Sequence, residues 1–129
     1  MEADRSITTM AKRLALTRRA QYLAVYEAGK AFADNLLVIK IIPNGLQISR
    51  IGFSVTKEIG KAVVRNHTKR LLKEMVRLLE IKTGWDIVFI ARRKIIEADF
   101  NQLYRSTVKL LQRADILISN VKTVHSQVD

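Results

Sequence analysis

Residues Arg50–Ile81 read RIGFSVTKEIGKAVVRNHTKRLLKEMVRLLEI. Up to Val55 the segment is rich in residues that favour strands, and from Lys61 onward its period changes to that of a helix. At 100° per residue, Val64, Thr68, Leu71, Leu72, Met75, Leu78 and Leu79 share one broad face of a helix predicted from about Lys61 to Ile81. That face suits packing on a sheet. Lys61, Arg65, Lys69, Lys73 and Arg77 recur every four residues as a stripe winding slowly round the other side, where Asn66 and Arg70 join it. The 21 residues, at about 1.5 Å each, make a rod of roughly 30 Å, long enough to follow several successive phosphates. An ordinary solvated face places Glu four residues from Lys, whereas here Lys69 follows Arg65 at that spacing, and such like-charge pairs are mildly destabilising. An anionic ligand would favour them. Asn66 is a poor mid-helix residue that offers both a donor and an acceptor, suited to a phosphate, a ribose hydroxyl or a base edge.

The segments on either side supply the rest of a fold. Leu36–Ile42 and Leu46–Val55 read as strands flanking Asn44-Gly45, a pair that predicts a type I′ hairpin. Asp86–Ala91 (DIVFIA) is a short apolar run that reads as a buried strand, bounded by Gly84 and by Arg92-Arg93-Lys94. A first helix is predicted from Thr17, as N-cap, to Ala28, with Gly29 as a left-handed C-cap and Tyr22 and Tyr26 one turn apart; a short strand follows at Lys30–Phe32. A last helix starts at Asp99, an N-cap with Gln102 at the third helical position, and carries Phe100, Leu103, Tyr104, Thr107, Leu110 and Leu111 at helical spacing. The order helix, strands, helix, strand, helix predicts an α/β or α+β sandwich with helices on a mixed sheet.

Composition bounds the function. The chain has 129 residues, 48% of them hydrophobic, one proline and five glycines, which predicts one domain over residues 1–129 with loose ends at 1–10 and 114–129. With no cysteine there are no disulfides or thiol nucleophiles, and the start lacks the apolar core of a signal peptide, so a cytoplasmic protein is expected. The net charge of +11 points to a polyanionic partner. Residues 51–94 carry 11 Lys and Arg against 4 acidic residues, while residues 95–129 are balanced at 4 against 4. The excess therefore sits inside the folded region, as a binding surface requires, and not in a terminal tail.

At this basic segment a family resemblance appears. Arg50–Lys57, followed by Gly60-Lys-Ala-Val-Val-Arg-Asn-His-Thr-Lys-Arg-Leu-Leu-Lys-Glu-Met-Val-Arg77, resembles the signature of the protein subunit of bacterial ribonuclease P, built around an Arg-Asn-Arg triplet, a Lys-Arg pair and a basic-Glu pair. Gly84–Arg92 is similar to the family's later strand, and Tyr22 and Tyr26 before Gly29 stand where the family usually has two phenylalanines. The match runs in the family's order through most of residues 14–111. Within the basic segment two positions depart from it: His67 replaces the triplet's last arginine, and Glu58 stands where a second lysine is common.

The resemblance implies a fold and a division of labour. The fold would be the two-layer α/β sandwich seen in one domain of a ribosomal protein, with a left-handed crossover into the basic helix. The family's enzyme removes the 5′ leader of precursor transfer RNA, with hydrolysis carried out by an RNA subunit that uses magnesium ions. This chain would then hold no catalytic residue and no metal ligand. Lys57, Lys61, Arg65, Asn66, His67, Lys69, Arg70 and Lys73 would meet the catalytic RNA. Tyr22, Tyr26, Phe53 and Arg92 would form a cleft for the single-stranded leader.

Two rival readings differ in class. A self-sufficient nuclease needs a histidine pair or a carboxylate cluster; the only histidines are His67, in the basic helix, and His125, near the end, and Asp99 reads better as a helix cap than as a metal ligand beside Glu97. A non-enzymatic RNA binder of ribosomal or chaperone type fits the charge and helix pattern equally well and is separated from the first reading only by the order of the motifs. Neither a helix-turn-helix pattern nor a zinc-ligand set points to DNA.

Overall fold

A computed structural model describes residues 13–119. In chain order these form β1 (Arg13–Ala15), α1 (Arg19–Ala28), β2 (Lys30–Ala33), β3 (Leu37–Pro43), β4 (Ser49–Ser54), α2 (Ala62–Val76), β5 (Glu80–Ile81), β6 (Trp85–Ala91), α3 (Phe100–Arg113) and β7 (Leu117–Ser119). Short 3₁₀ turns at Lys57–Ile59 and Arg93–Glu97 precede α2 and α3. The expected end at 1–10, and His125, lie outside the described residues.

Five strands make a mixed sheet in the order β1-β4-β6-β3-β2, while β5 and β7 pair with each other. The central strand is β6, antiparallel to β3 and parallel to β4. Asp86–Phe89 and Ala91 are all buried, as a strand covered on both faces requires, which is why this run shows no alternation. Since β4 and β6 are parallel neighbours, the chain between them must cross over one face, and α2 makes that crossover.

The position of β6 overturns the predicted hairpin, because β3 and β4 do not pair. The turn chemistry is present: Gly45 has φ 72°, and the Asn44 side-chain oxygen accepts from the Leu46 amide at 2.8 Å. The loop closes over the end of β6 instead of joining neighbours. The Asn44 amide nitrogen donates to the Gly84 carbonyl at 2.9 Å, and its side-chain nitrogen donates to Asp86 at 2.9 Å. Asp86 also takes two bonds from Arg50, at 2.8 and 2.7 Å, so β3, β4 and β6 are tied together at this end. A strand buried on both sides needs hydrogen-bonding neighbours on both edges, and that demand outweighs the local turn preference.

Alternation along the strands divides the core. Ile39, Ile51, Ile87 and Phe89 point to the face covered by α2 and α3, where they meet Leu72, Met75, Leu103 and Leu111. The other face is covered in part by α1, through Leu16, Val25 and Val88, with Tyr22, Tyr26, Ile42 and Ile90 beside them. Burying each such side chain contributes about 1.5–3 kcal/mol.

The helices differ from expectation mainly at their ends. The N-cap of α1 is Arg18, not Thr17, and the Gln21 side-chain oxygen accepts from the amides of Thr17 and Arg18 at 3.0 and 3.1 Å. Gly29 is extended, at φ −75°, and is not a left-handed cap. It is needed for space: a Cβ there would stand 2.3 Å from the Val25 carbonyl oxygen. The basic helix stops at Val76, five residues before Ile81. Continued helix would carry Ile81 round to the solvent side, whereas leaving the helix lets both Leu79 and Ile81 become 2% exposed. The start of α3 is as predicted, with Asp99 and Gln102 exchanging bonds at 2.8 and 2.9 Å. Ala114–Ser119, expected to be loose, instead bury Ile116 completely and add β7; the run Ile116-Leu117-Ile118 is too short to show a period.

Candidate nucleic-acid interface

The 15 residues of α2 span about 22 Å. Thr68, Leu72, Met75 and Val76 are its buried residues, so helical geometry sets Asn66, Arg70 and Lys73 on the crown facing solvent. Lys61, the N-cap, and Lys69 are also exposed, while Arg65 is half-buried on one flank with its Nε unpartnered. Arg65, Asn66 and His67 are consecutive and fan out over about 200°, so they cannot meet a single phosphate. His67 lies on the flank towards the 3₁₀ turn that precedes α3, across from Ile95 and Ile96. Among the described residues the ion pairs are Arg50–Asp86 and Lys82–Asp115, and neither draws on α2.

The carboxyl end of α2 is held by a residue that sequence reasoning did not single out. The Arg13 guanidinium, on β1, donates to the carbonyls of Val76, at 2.9 Å, and Leu79. There it gives the Val76 carbonyl, which also accepts from the Leu79 amide, a second donor, ties it to the turn that follows the helix, and faces the negative end of the helix dipole. Burial pulls its pKa down, and Glu80 partly restores it. Only the pairing of β1 with β4 brings Arg13 here, and a three-residue strand carries no periodic signal.

On the opposite sheet face, Tyr22 and Tyr26 stand with ring centroids 6.3 Å apart, tilted by 48°. The Tyr22 hydroxyl donates to the Leu16 carbonyl at 3.3 Å, and its ring lies over Gly52, where a Cβ would come 2.5 Å from the phenol oxygen. Burial raises the Tyr22 pKa, with smaller opposed effects from a hydrogen bond to the Phe53 backbone and from Tyr26. Lys40 reaches beneath α1 and donates to the Tyr26 carbonyl at 2.9 Å. Phe53 is not part of this surface. Alternation along β4 turns it to the α2 side, where it stacks on Phe89 at 5.6 Å, so the residues of β4 on the tyrosine face are Gly52 and Ser54.

Arg92 sits at the end of β6, donating from its side chain to the Asp34 carbonyl at 3.0 Å. With Ile90, Arg93, Lys94 and Glu58 it lines an open cleft of about 570 Å³. Ile90 belongs to the tyrosine cluster and Glu58 to the turn that carries Lys57, so this cleft lies between the two surfaces. Arg93 and Lys94 are legible in the sequence only as a charged run after a buried strand, and the resemblance points to Arg92 alone. Among the described residues, no three His, Asp or Glu side chains gather where they could hold a metal ion.

Comparison with known proteins agrees with the motif order. A family model described as Ribonuclease P matches residues 10–115. The ribonuclease P protein component of Caldanaerobacter subterraneus is 48% identical over 103 residues, which are 78% of this chain and 89% of that protein. That of Dehalococcoides mccartyi is 42% identical, over 88% of this chain and 95% of that one. Among solved structures, the ribonuclease P protein of Thermotoga maritima superposes with a TM-score of 0.71 at 33% identity, covering 77% of this chain and 96% of that one. The protein from Staphylococcus aureus gives 0.72 at 26% identity, covering 81% and 97%. With its fold, its basic crossover helix and these relatives in agreement, the chain belongs to the ribonuclease P protein family.

Proposed function

We propose that this protein is the non-catalytic subunit of a ribonuclease P ribonucleoprotein, docking on the catalytic RNA through α2 and holding the 5′ leader of precursor transfer RNA against the tyrosine face. The observation that carries this reading is the pairing of two unlike surfaces on one sheet: a cationic crown on the α2 side and paired aromatic rings on the α1 side. The cleft at Arg92–Lys94 lies between them.

Each surface has chemistry suited to its task. Lys61, Lys69, Arg70 and Lys73 can neutralise phosphates and release their counterions, which lets RNA strands approach closely with less magnesium. Lys57 extends this charge beyond the helix start, Asn66 adds a contact on the crown, and Arg65 and His67 add contacts on the two flanks. Tyr26, beside Tyr22 whose ring is held against Gly52, offers a flat ring to an unpaired base, and Arg92 offers a cation to the adjoining phosphate. Phe53 supports the sheet from the other side and takes no part in the leader contact. The RNA subunit supplies the magnesium ions and the hydrolysis, and the site of action is the cytoplasm. No described helix is long and apolar enough to cross a membrane.

The test compares three preparations. Purified protein alone should leave precursor transfer RNA intact, and the protein bound to ribonuclease P RNA should bind leader-bearing precursor more tightly than a leaderless form. Tyr26→Ala should remove that preference. Magnesium-dependent cleavage by the RNA-free protein, or equal affinity for the two substrates, would overturn the proposal.

A further inference from the structure

Beside the crown of α2 lies a small cavity of about 110 Å³, lined by Val64, His67, Leu71, Ile95, Ile96 and Leu103 among others. Its rim is unusual for a cationic helix. Val63, next to it, is 79% exposed, Ile96 52% and Val64 38%, so branched apolar groups face solvent about two turns before Arg70 on the helix and across the cavity from it. Core packing does not account for them, and apolar groups gathered at a concave surface mark contact sites.

We propose that this cavity receives one unstacked nucleobase of the RNA on which α2 docks. The inference rests on that docking reading and adds a base-specific contact to its phosphate contacts. Position favours RNA over an apolar protein segment: the cavity adjoins the cationic crown, no lining residue is acidic, and Arg93, Lys94 and Arg70 flank it against Glu97 and Asp99. The Thr68 hydroxyl already donates to the Val64 carbonyl at 2.9 Å, which leaves His67 to supply the polar edge. Its ring nitrogens can donate to and accept from a base, while the aliphatic walls cover the base faces. The position at which this chain departs from the family triplet thus gains a role of its own, turned away from the crown.

Two variants separate this inference from the reading beneath it. Ile96→Ser, at a half-exposed position, should weaken affinity for ribonuclease P RNA roughly 5- to 100-fold, the range for loss of one base contact, and leave the salt dependence unchanged because no phosphate contact is lost. Arg70→Ala should do the opposite and reduce the salt slope. Wild-type affinity in Ile96→Ser together with a reduced slope in Arg70→Ala overturns the cavity assignment alone. An unchanged slope in Arg70→Ala overturns the docking reading, and the cavity assignment with it. A photocrosslinking residue at position 96 in the reconstituted complex provides a second readout and should label one unpaired nucleotide. Labelling of a protein, or no RNA labelling, contradicts the assignment.

Discussion

Tyr22 can lie flat on the sheet only because position 52 is glycine, and this pair sets the geometry of the tyrosine face. A strand-interior glycine often marks a close approach, and Ile51-Gly52-Phe53 carries that signal, but nothing in the sequence says which partner approaches. Gly52→Val should lift the ring and cost the leader preference roughly 1–3 kcal/mol, the range for one stacked base, with the salt slope of RNA binding unchanged. Paired titrations with leader-bearing and leaderless substrates measure this directly. The Tyr22 phenol also has a signature in alkali. Burial raises its pKa above the ordinary 10.0, so the folded chain holds this proton more tightly than the unfolded one. Its contribution to stability is complete below pH 10 and is lost as pH climbs through the raised value. Denaturant unfolding at increasing pH should therefore show a shallower alkaline decline for Tyr22→Phe than for the wild type; identical declines would mean that the hydroxyl is free. The resemblance groups Phe53 with the tyrosines, but strand alternation opposes it to Gly52 and sets it on the α2 side, against Phe89.

The crossover helix is the element that the sequence describes best. Its buried face, from Thr68 through Leu72 to Met75, follows from a 100° repeat, and its exposed crown follows with it. Its end was not legible, because Leu78 and Leu79 continue the apolar pattern while the chain has already turned towards β5, and only Ile81 falls out of phase. The Asn44-Gly45 turn misled for a related reason: local chemistry specifies that the chain turns but not which strand lies alongside. Arg70→Ala should lower the slope of log affinity against log salt by about one phosphate's worth, roughly 0.7 to 0.9. Arg13→Ala should destabilise the fold by about 2 kcal/mol, as expected for charge-assisted bonds to two backbone carbonyls, one on the last residue of α2 and one in the turn after it, with a lower denaturant midpoint and faster amide exchange at the end of α2. Loss of stability without that local exchange would place the role of Arg13 elsewhere.

At the scale of the whole molecule, the sheet keeps two unlike chemistries apart. The cationic helix lies on one face, the tyrosines on the other, and the strand ends carry further cations between them. The mixed sheet with its helices was foreseeable from the order of periodic segments. The central place of β6 was not, since pairing order is a long-range property, and β1, β5 and β7 are each three residues or fewer. Of the net charge of +11, the 11 basic against 4 acidic residues of 51–94 supply the larger part, which fits a protein that brings polyanionic strands together. The most direct test is reconstitution with ribonuclease P RNA at limiting magnesium, following cleavage of leader-bearing precursor beside a leaderless model substrate. Added protein should raise cleavage of the leader-bearing precursor and leave the leaderless substrate largely unaffected; equal stimulation of both, or of neither, would contradict the account.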